Sequence, residues 1–413
     1  MAGSRHSKGA INVAGETRPT MLLVKAAIDG DGTPLIDADC IVLAGGTIAA
    51  IGPADELAAR YPDAERLDFG DCHVLPGLVN AHDHVAFRRS RLPLADHFAL
   101  PVDLQMAFMM AAGTRSLAEG VTTARDMGAP GDLGRRCTVA ASQGTFAGPA
   151  IVTCIKAITV PGGPGAALST AVADPAGARL AVYQLAGRGA AFIKVFASTD
   201  GSNTSQPTLN PELLRSICLA AASLGLPVVA HATTRESVTT CLAAGVGCIE
   251  HGVGIDAALA SQMADSGTWF VPTLSGFRVI ALEGARWGRA PHVVAYFAAA
   301  LAAHRRAFEH ALAAGVRLAV GTDSLGTMAL EIVSMHEYGA TPDRIVRAAV
   351  AGGAELLGLG GQAGKLTAGG PADLVLVDGD PLVQPAVLGR PVATIRRGAL
   401  YRASDLAALS PNP

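Results

Sequence analysis

The 413-residue chain has few aromatic residues, little net charge and few lysines. Phe, Trp and Tyr make up 4% of it, too few for the stacking platforms that grip single-stranded nucleic acid. A formal net charge of −3 argues against nucleic acid and against an anionic membrane as partners. No run of about 18 apolar residues is free of a charge or a breaker, so no membrane span is expected. The first twenty residues carry Arg5, His6 and Lys8 without a long apolar stretch, which argues against a conventional signal peptide. The seven cysteines are odd in number and form no CxxC pair. Buried thiols in a reduced, cytoplasmic chain are the simplest reading. Arg outnumbers Lys 27 to 5, so each lysine is conspicuous.

Half the residues are hydrophobic and 16% are charged, enough for a large buried core. Residues 1–19 read as a flexible arm. From Met21 to Val74 short strands alternate with Gly-rich turns, such as Gly30, Gly32, Gly45, Gly46 and Gly52. From Val74 to Leu359 short apolar strands alternate with Ala/Leu-rich helical stretches. These strands end near Asn80, Arg125, Thr153, Ala197, His231, Glu250, Pro272 and Asp323. Eight strands alternating with helices predict a parallel, closed (β/α)8 barrel of the TIM type, in the α/β class. Beyond Leu359 the β pattern returns, as in Asp373-Leu374-Val375-Leu376-Val377. The expected organisation is an arm at 1–19, a composite β-sandwich from 20–73 and 360–405, and a barrel at 74–359. Residues 160–173 read as a loop on the barrel's top face.

Sites on such barrels form where strands end. His82 and His84 follow the apolar run Val74–Val79, and residues two apart on a strand share a face, so both imidazoles can grasp one ion. Alone, an HxH pair also arises by chance. Lys194 sits inside Ala191-Phe192-Ile193-Lys194-Val195-Phe196-Ala197, where a charged amine is costly. Two readings of it stand side by side. A neutral amine there can add carbon dioxide to give a metal-bridging carbamate, or its head can reach solvent or an Asp. His231, His251 and Asp323 each end an apolar run and precede a helical one. Six metal-type residues on five expected strands, nearly all at C-terminal ends, point to a metal centre.

This set resembles the amidohydrolase superfamily, more narrowly its imidazolonepropionase-like and Xaa-Pro dipeptidase-like branch. The matching text runs through nearly the whole chain. It includes Leu75-Pro76-Gly77-Leu78-Val79-Asn80-Ala81-His82-Asp83-His84, Gly120-Val121-Thr122-Thr123-Ala124-Arg125-Asp126 and Phe192-Ile193-Lys194-Val195. Further on come Ile249-Glu250-His251-Gly252, Gly321-Thr322-Asp323 and Gly370-Pro371-Ala372-Asp373-Leu374-Val375. The resemblance implies two divalent ions, Zn2+ first and Mn2+ or Co2+ as alternatives. His82 and His84 would hold one ion with Asp323, His231 and His251 the other, and carboxylated Lys194 would bridge them. It further implies hydrolysis of a C–N amide bond, in a peptide or N-acyl amino acid, by a metal-bound hydroxide. Asp323 would move the proton to the departing nitrogen. Alternatives are a mononuclear hydrolase of a cyclic amide or amidine, a specialised hydrolase of peptide natural products or toxins, and a barrel that only binds a ligand. Two departures stand out. Pro164 replaces the histidine of a Gly-Gly-His-Gly loop, and His231-Ala232-Thr233-Thr234 lacks the usual residues, so the resemblance alone does not extend to dipeptide specificity.

Arg88, Arg89, Thr273 and His336 are candidate substrate-binding residues, with Glu337 beside the last. Arg125 and Asp126 are expected to pair at the barrel rim. His97, His292, His304 and His310 read as surface or helix histidines. The expected partners are a small-molecule or peptide substrate and further copies of the chain in a homo-oligomer.

Overall fold

The computed structural model describes residues 18–409, apart from Asp200, Ser202 and Pro207. The expected N-terminal arm therefore lies outside the described residues, save for Arg18 and Pro19.

Eight parallel-paired segments carry the central part of the chain. They are β1 (Leu78–Asp83), β2 (Val121–Asp126), β3 (Ala150–Thr153), β4 (Ile193–Phe196), β5 (Val228–Ala232), β6 (Cys248–His251), β7 (Trp269–Val271) and β8 (Arg317–Leu318). All but β3 and β8 are buried at every residue. That is the signature of parallel strands covered on both faces. Capping residues in the intervening segments set where the following helices begin. After β5, Thr234 and Ser237 form a reciprocal capping box, and Gly245 ends that helix at φ +85°. After β6, the Asp256 side chain accepts from the Leu259 N–H.

Ladder pairing divides these strands into two parallel sheets rather than one ring. β1, β2 and β3 form a three-stranded sheet, and β4 to β8 belong to a seven-stranded sheet with Ala157–Thr159 and Ser169–Ala171. Two local irregularities explain the difference from the expected closed sheet. Ile155 takes φ +67°, which breaks the extended run between β3 and Ala157–Thr159. Past Leu318 the eighth strand leaves regular pairing, yet Ala81 N–H still donates to Val320 O at 2.7 Å and Thr322 N–H to His82 O at 3.0 Å. At the other gap Ala191 N–H donates to Thr153 O at 3.0 Å. Gly321 permits the first approach, because a Cβ there would lie 2.6 Å from the Cβ of His82.

Both ends of the chain meet in β structure. A five-stranded sheet has the order Ala399–Arg402, Pro391–Arg396, Leu374–Asp378, Cys72–Pro76, Ala26–Ala27. Leu374 faces Pro76 and Val377 faces His73 in its antiparallel register, which joins segments far apart in the chain. A four-stranded sheet of Thr47–Gly52, Cys40–Ala44, Thr20–Leu23 and Glu65–Asp68 accompanies it. Leu22, Ile41, Val74, Leu374 and Ile395 share one apolar cluster, so residues from both ends bury each other. All seven cysteines are buried. Among the described residues, no helix is long and apolar enough to cross a membrane.

Candidate metal centre

His82, His84, Lys194, His231, His251 and Asp323 all line one cavity of about 470 Å³ at the C-terminal ends of the strands. Ligand atoms of His82, His84 and Asp323 lie within 4.8 Å of one another. The His231 and His251 ring centroids are 4.5 Å apart, and those of His82 and His251 4.9 Å.

Each imidazole is turned by a partner on its other nitrogen. His82 Nδ1 lies 2.6 Å from Glu250 Oε2, His84 Nδ1 3.3 Å from Gly128 O, and His251 Nδ1 2.8 Å from Thr273 Oγ1. A proton on Nδ1 satisfies each acceptor and leaves Nε2 with a lone pair for the cavity. His231 is reversed: its Nε2 lies 2.9 Å from Thr199 O. Burial lowers the pKa of His82, His84 and His251, so the neutral form that can ligate a cation is favoured.

Glu250 is the hub beneath these rings. It is 0% exposed, accepts from Arg125 Nη2 at 2.7 Å and from Cys248 Sγ at 3.2 Å, and holds His82. Burial pushes its carboxyl up, but Arg125 and His82 outweigh that and hold it down at about 2. Asp323 is likewise pushed up by burial yet held below the usual carboxylate range by His82 and His84, with its Oδ1 3.7 Å from His84 Nε2. Oδ1 also accepts the Ser324 N–H, which leaves Oδ2 for other partners.

Lys194 is 1% exposed, and its Nζ has no hydrogen-bond partner among the described residues. Desolvation lowers its pKa. A buried amine without an acceptor, beside neutral imidazoles and a carboxylate, fits a site completed by divalent cations. Three non-glycine residues here occupy left-handed backbone: His251 (φ +69°), Thr273 (φ +55°) and Asp323 (φ +55°). Such conformations cost about 1–3 kcal/mol each and cluster at functional sites.

The structure does not bring the expected substrate residues into the cavity. Arg88 is 2% exposed and locked to Asp83 (2.7 Å), Thr322 Oγ1 (2.8 Å) and Glu119 (2.9 Å), so it braces β1 instead of facing solvent. Arg89 packs over the Trp287 ring. Thr273 is buried, and its hydroxyl orients His251 instead of touching substrate. His336 is exposed near the end of the helix Met328–Glu337, and Glu337 pairs with Arg278. Arg125 pairs with Glu250, not Asp126, because adjacent strand residues point to opposite faces; Asp126 instead accepts from Thr153 Oγ1. His97 and His304 are helical but buried rather than superficial. Sequence reasoning missed Glu250, although it adjoins His251, and missed Arg289, which lines the cavity. An apolar wall of Phe87, Leu94, Phe98, Phe277 and Phe297 was also not foreseen.

A parallel α/β framework with metal-type side chains gathered at its strand ends is the construction of a metal-assisted hydrolase. The model of the amidohydrolase family matches residues 73–409, and that of the bacterial imidazolonepropionase-like composite domain matches 40–64. The chain belongs to the amidohydrolase family and is a hydrolase acting on carbon–nitrogen bonds. Ochratoxinase of Aspergillus niger is 26% identical over 92% of this chain and 85% of that protein. A solved prolidase in complex with N-methylphosphonate-L-proline superposes with a TM-score of 0.83 at 28% identity, over 93% of this chain and 99% of that one. A Xaa-Pro dipeptidase with methionine bound in its active site gives 0.80 at 25% identity, over 93% and 100%. The expected family resemblance is thereby borne out, with prolidase-like members among the structural neighbours.

Proposed function

We propose that the protein hydrolyses the amide bond of a peptide or N-acyl amino acid at a two-metal centre. The observation that carries this is the convergence of His82, His84, Lys194, His231, His251 and Asp323 on one cavity. Divalent ions bound there, Zn2+ in the first instance, would acidify water and polarise a carbonyl. We take the two parallel sheets to be arcs of a single (β/α)8 barrel at 74–359, joined by the backbone bonds from Ala81 and Ala191. Segments 20–73 and 360–405 make the accessory sandwich.

The chain's own residues divide the work. His82, His84, His231 and His251 would hold the ions, and Glu250, Gly128, Thr199 and Thr273 fix the orientation of their rings. Asp323 is unprotonated at the start, takes the proton that the attacking water loses and delivers it to the departing nitrogen. Lys194 Nζ, once neutral, could add carbon dioxide, forming an N–C bond and releasing one proton to solvent, and the carbamate would supply a further carboxylate to hold the ions. The phenylalanine-lined wall keeps bulk water from the scissile bond. Likeness to ochratoxinase supports the variant of this reading in which the hydrolase processes a toxin.

A second reading has one observation in its favour. Only His82, His84 and Asp323 form a tight ligand cluster among the described residues, as a mononuclear hydrolase of a cyclic amide would need. Metal analysis of the purified protein with a 13C-carbonate label separates the two. Two ions per chain and a carbamate signal at Lys194 support the first; one ion without that signal supports the second. Asp323→Asn should lower turnover of a panel of dipeptides, N-acyl amino acids and cyclic amides by about 10²–10⁴-fold. Intact turnover in that variant would remove Asp323 as the proton carrier.

A further inference from the structure

One charged group in the cavity has no part in that centre. Arg289 follows the turn Gly284–Trp287 and Gly288, and precedes the long helix Pro291–Ala313. Its backbone is fixed by a 2.9 Å bond from its N–H to Gly284 O. Its side chain lines the cavity beside Val293, Tyr296 and Phe297. The buried arginines Arg88 and Arg125 are each held by carboxylates. Among the described residues Arg289 forms no ion pair and no side-chain hydrogen bond, and Asp323 is the one carboxylate among those that line the cavity. Burial works against its charge, and Asp323 is the group that acts in the other direction.

A partly desolvated guanidinium presents its donors as a planar fork, which matches a carboxylate in two parallel hydrogen bonds. Asp323 does not fill that role here. A single fork in an otherwise apolar wall suits a planar monoanion better than a phosphate. Phe277, Ile280, Val293 and Phe297 pack in one apolar cluster, Phe87, Leu94 and Phe98 belong to another, and both clusters line the cavity. The geometry points to Arg289 as the residue that reads a free carboxylate on the amine side of the scissile bond. The substrate is then an N-acyl amino acid with large apolar groups on both sides of the amide. Its side chain rests near Phe277 and Phe297, and its acyl group near Phe87 and Phe98. This inference rests on the amide-hydrolase reading.

The test uses N-benzoyl-L-phenylalanine and its C-terminal carboxamide with metal-loaded protein. Two readouts are taken: kcat/KM with the active enzyme, and calorimetric Kd with Asp323→Asn. The acid should be preferred by about tenfold or more in both. Arg289→Gln should weaken the acid by about 10–100-fold, the scale of one hydrogen-bonded charge, chiefly through KM. It should change the carboxamide by less than about threefold, and Arg289→Lys should restore part of the loss. Equal losses for acid and carboxamide, or no preference for the acid in wild-type protein, would overturn the proposal. Preferential binding of the acid without hydrolysis of any amide would defeat the hydrolase reading and leave the carboxylate site standing.

Discussion

Replacing Glu250 with Gln tests the hub of the centre, because Gln keeps the shape and removes the charge. In the native site Glu250 accepts from Arg125 at 2.7 Å and faces His82 Nδ1 at 2.6 Å, with both partners almost wholly buried. Removing one member of a buried ion pair costs about 3–5 kcal/mol. The Gln oxygen can still accept from Arg125, which places the expected loss at the lower end, about 3 kcal/mol. The displacement of the Glu250 carboxyl from 4.5 to about 2 leads to the same size, about 3 kcal/mol. A depressed carboxyl stabilises the fold above its unfolded value and loses that contribution as pH falls from 4.5 toward 2. The deficit of the variant should therefore be full at pH 7 and shrink below about pH 4.5. Metal binding should suffer separately. A Gln amide that turns its NH2 toward His82 forces the Nδ1 lone pair to face it, so the ring proton moves to Nε2 and blocks the ligand position. A 10–100-fold loss of metal affinity is expected. Urea unfolding with chelator present reads the first effect, and competition with a chromogenic chelator reads the second. Wild-type stability together with wild-type metal affinity would refute this account of Glu250.

Three further outcomes follow from the same geometry. Lys194→Met should raise the urea midpoint of the metal-free protein, since it removes an unpartnered buried amine, yet lower bound metal; retained metal would count against a bridging role. Thr273→Val keeps β-branching at φ +55° but removes the acceptor for His251 Nδ1, so metal affinity should fall about 10–100-fold in chelator competition. Arg88→Met should destabilise by about 3–5 kcal/mol in denaturant, because Asp83 and Glu119 lose their partner, and leave the acid-over-carboxamide ratio unchanged. A shift in that ratio would return Arg88 to the substrate.

What could be read along the chain was local. His82 and His84 share a face because side chains alternate with a period of two. Lys194 stands out because an amine in a buried apolar run is costly. His231, His251 and Asp323 stand out because each closes such a run. The family text around them covers the chain, so the class of reaction was also legible.

Partnerships across the fold were not. Arg88 was a substrate-binding candidate along the chain, but only folding sets it against Glu119 and Thr322. Glu250 adjoins His251, yet its partners His82 and Arg125 come from β1 and β2, so its hold on His82 spans 168 residues. Arg289 lies outside every strand motif and reaches the cavity through the turn before a helix. Alternation and apolar runs are properties of neighbouring residues, and they determined the ligand types and the strands that carry them. Which buried charge meets which, and which cation is left facing the cavity, depends on contacts between distant segments. Desolvation makes those pairings costly to leave unmet, and tertiary packing alone decided them.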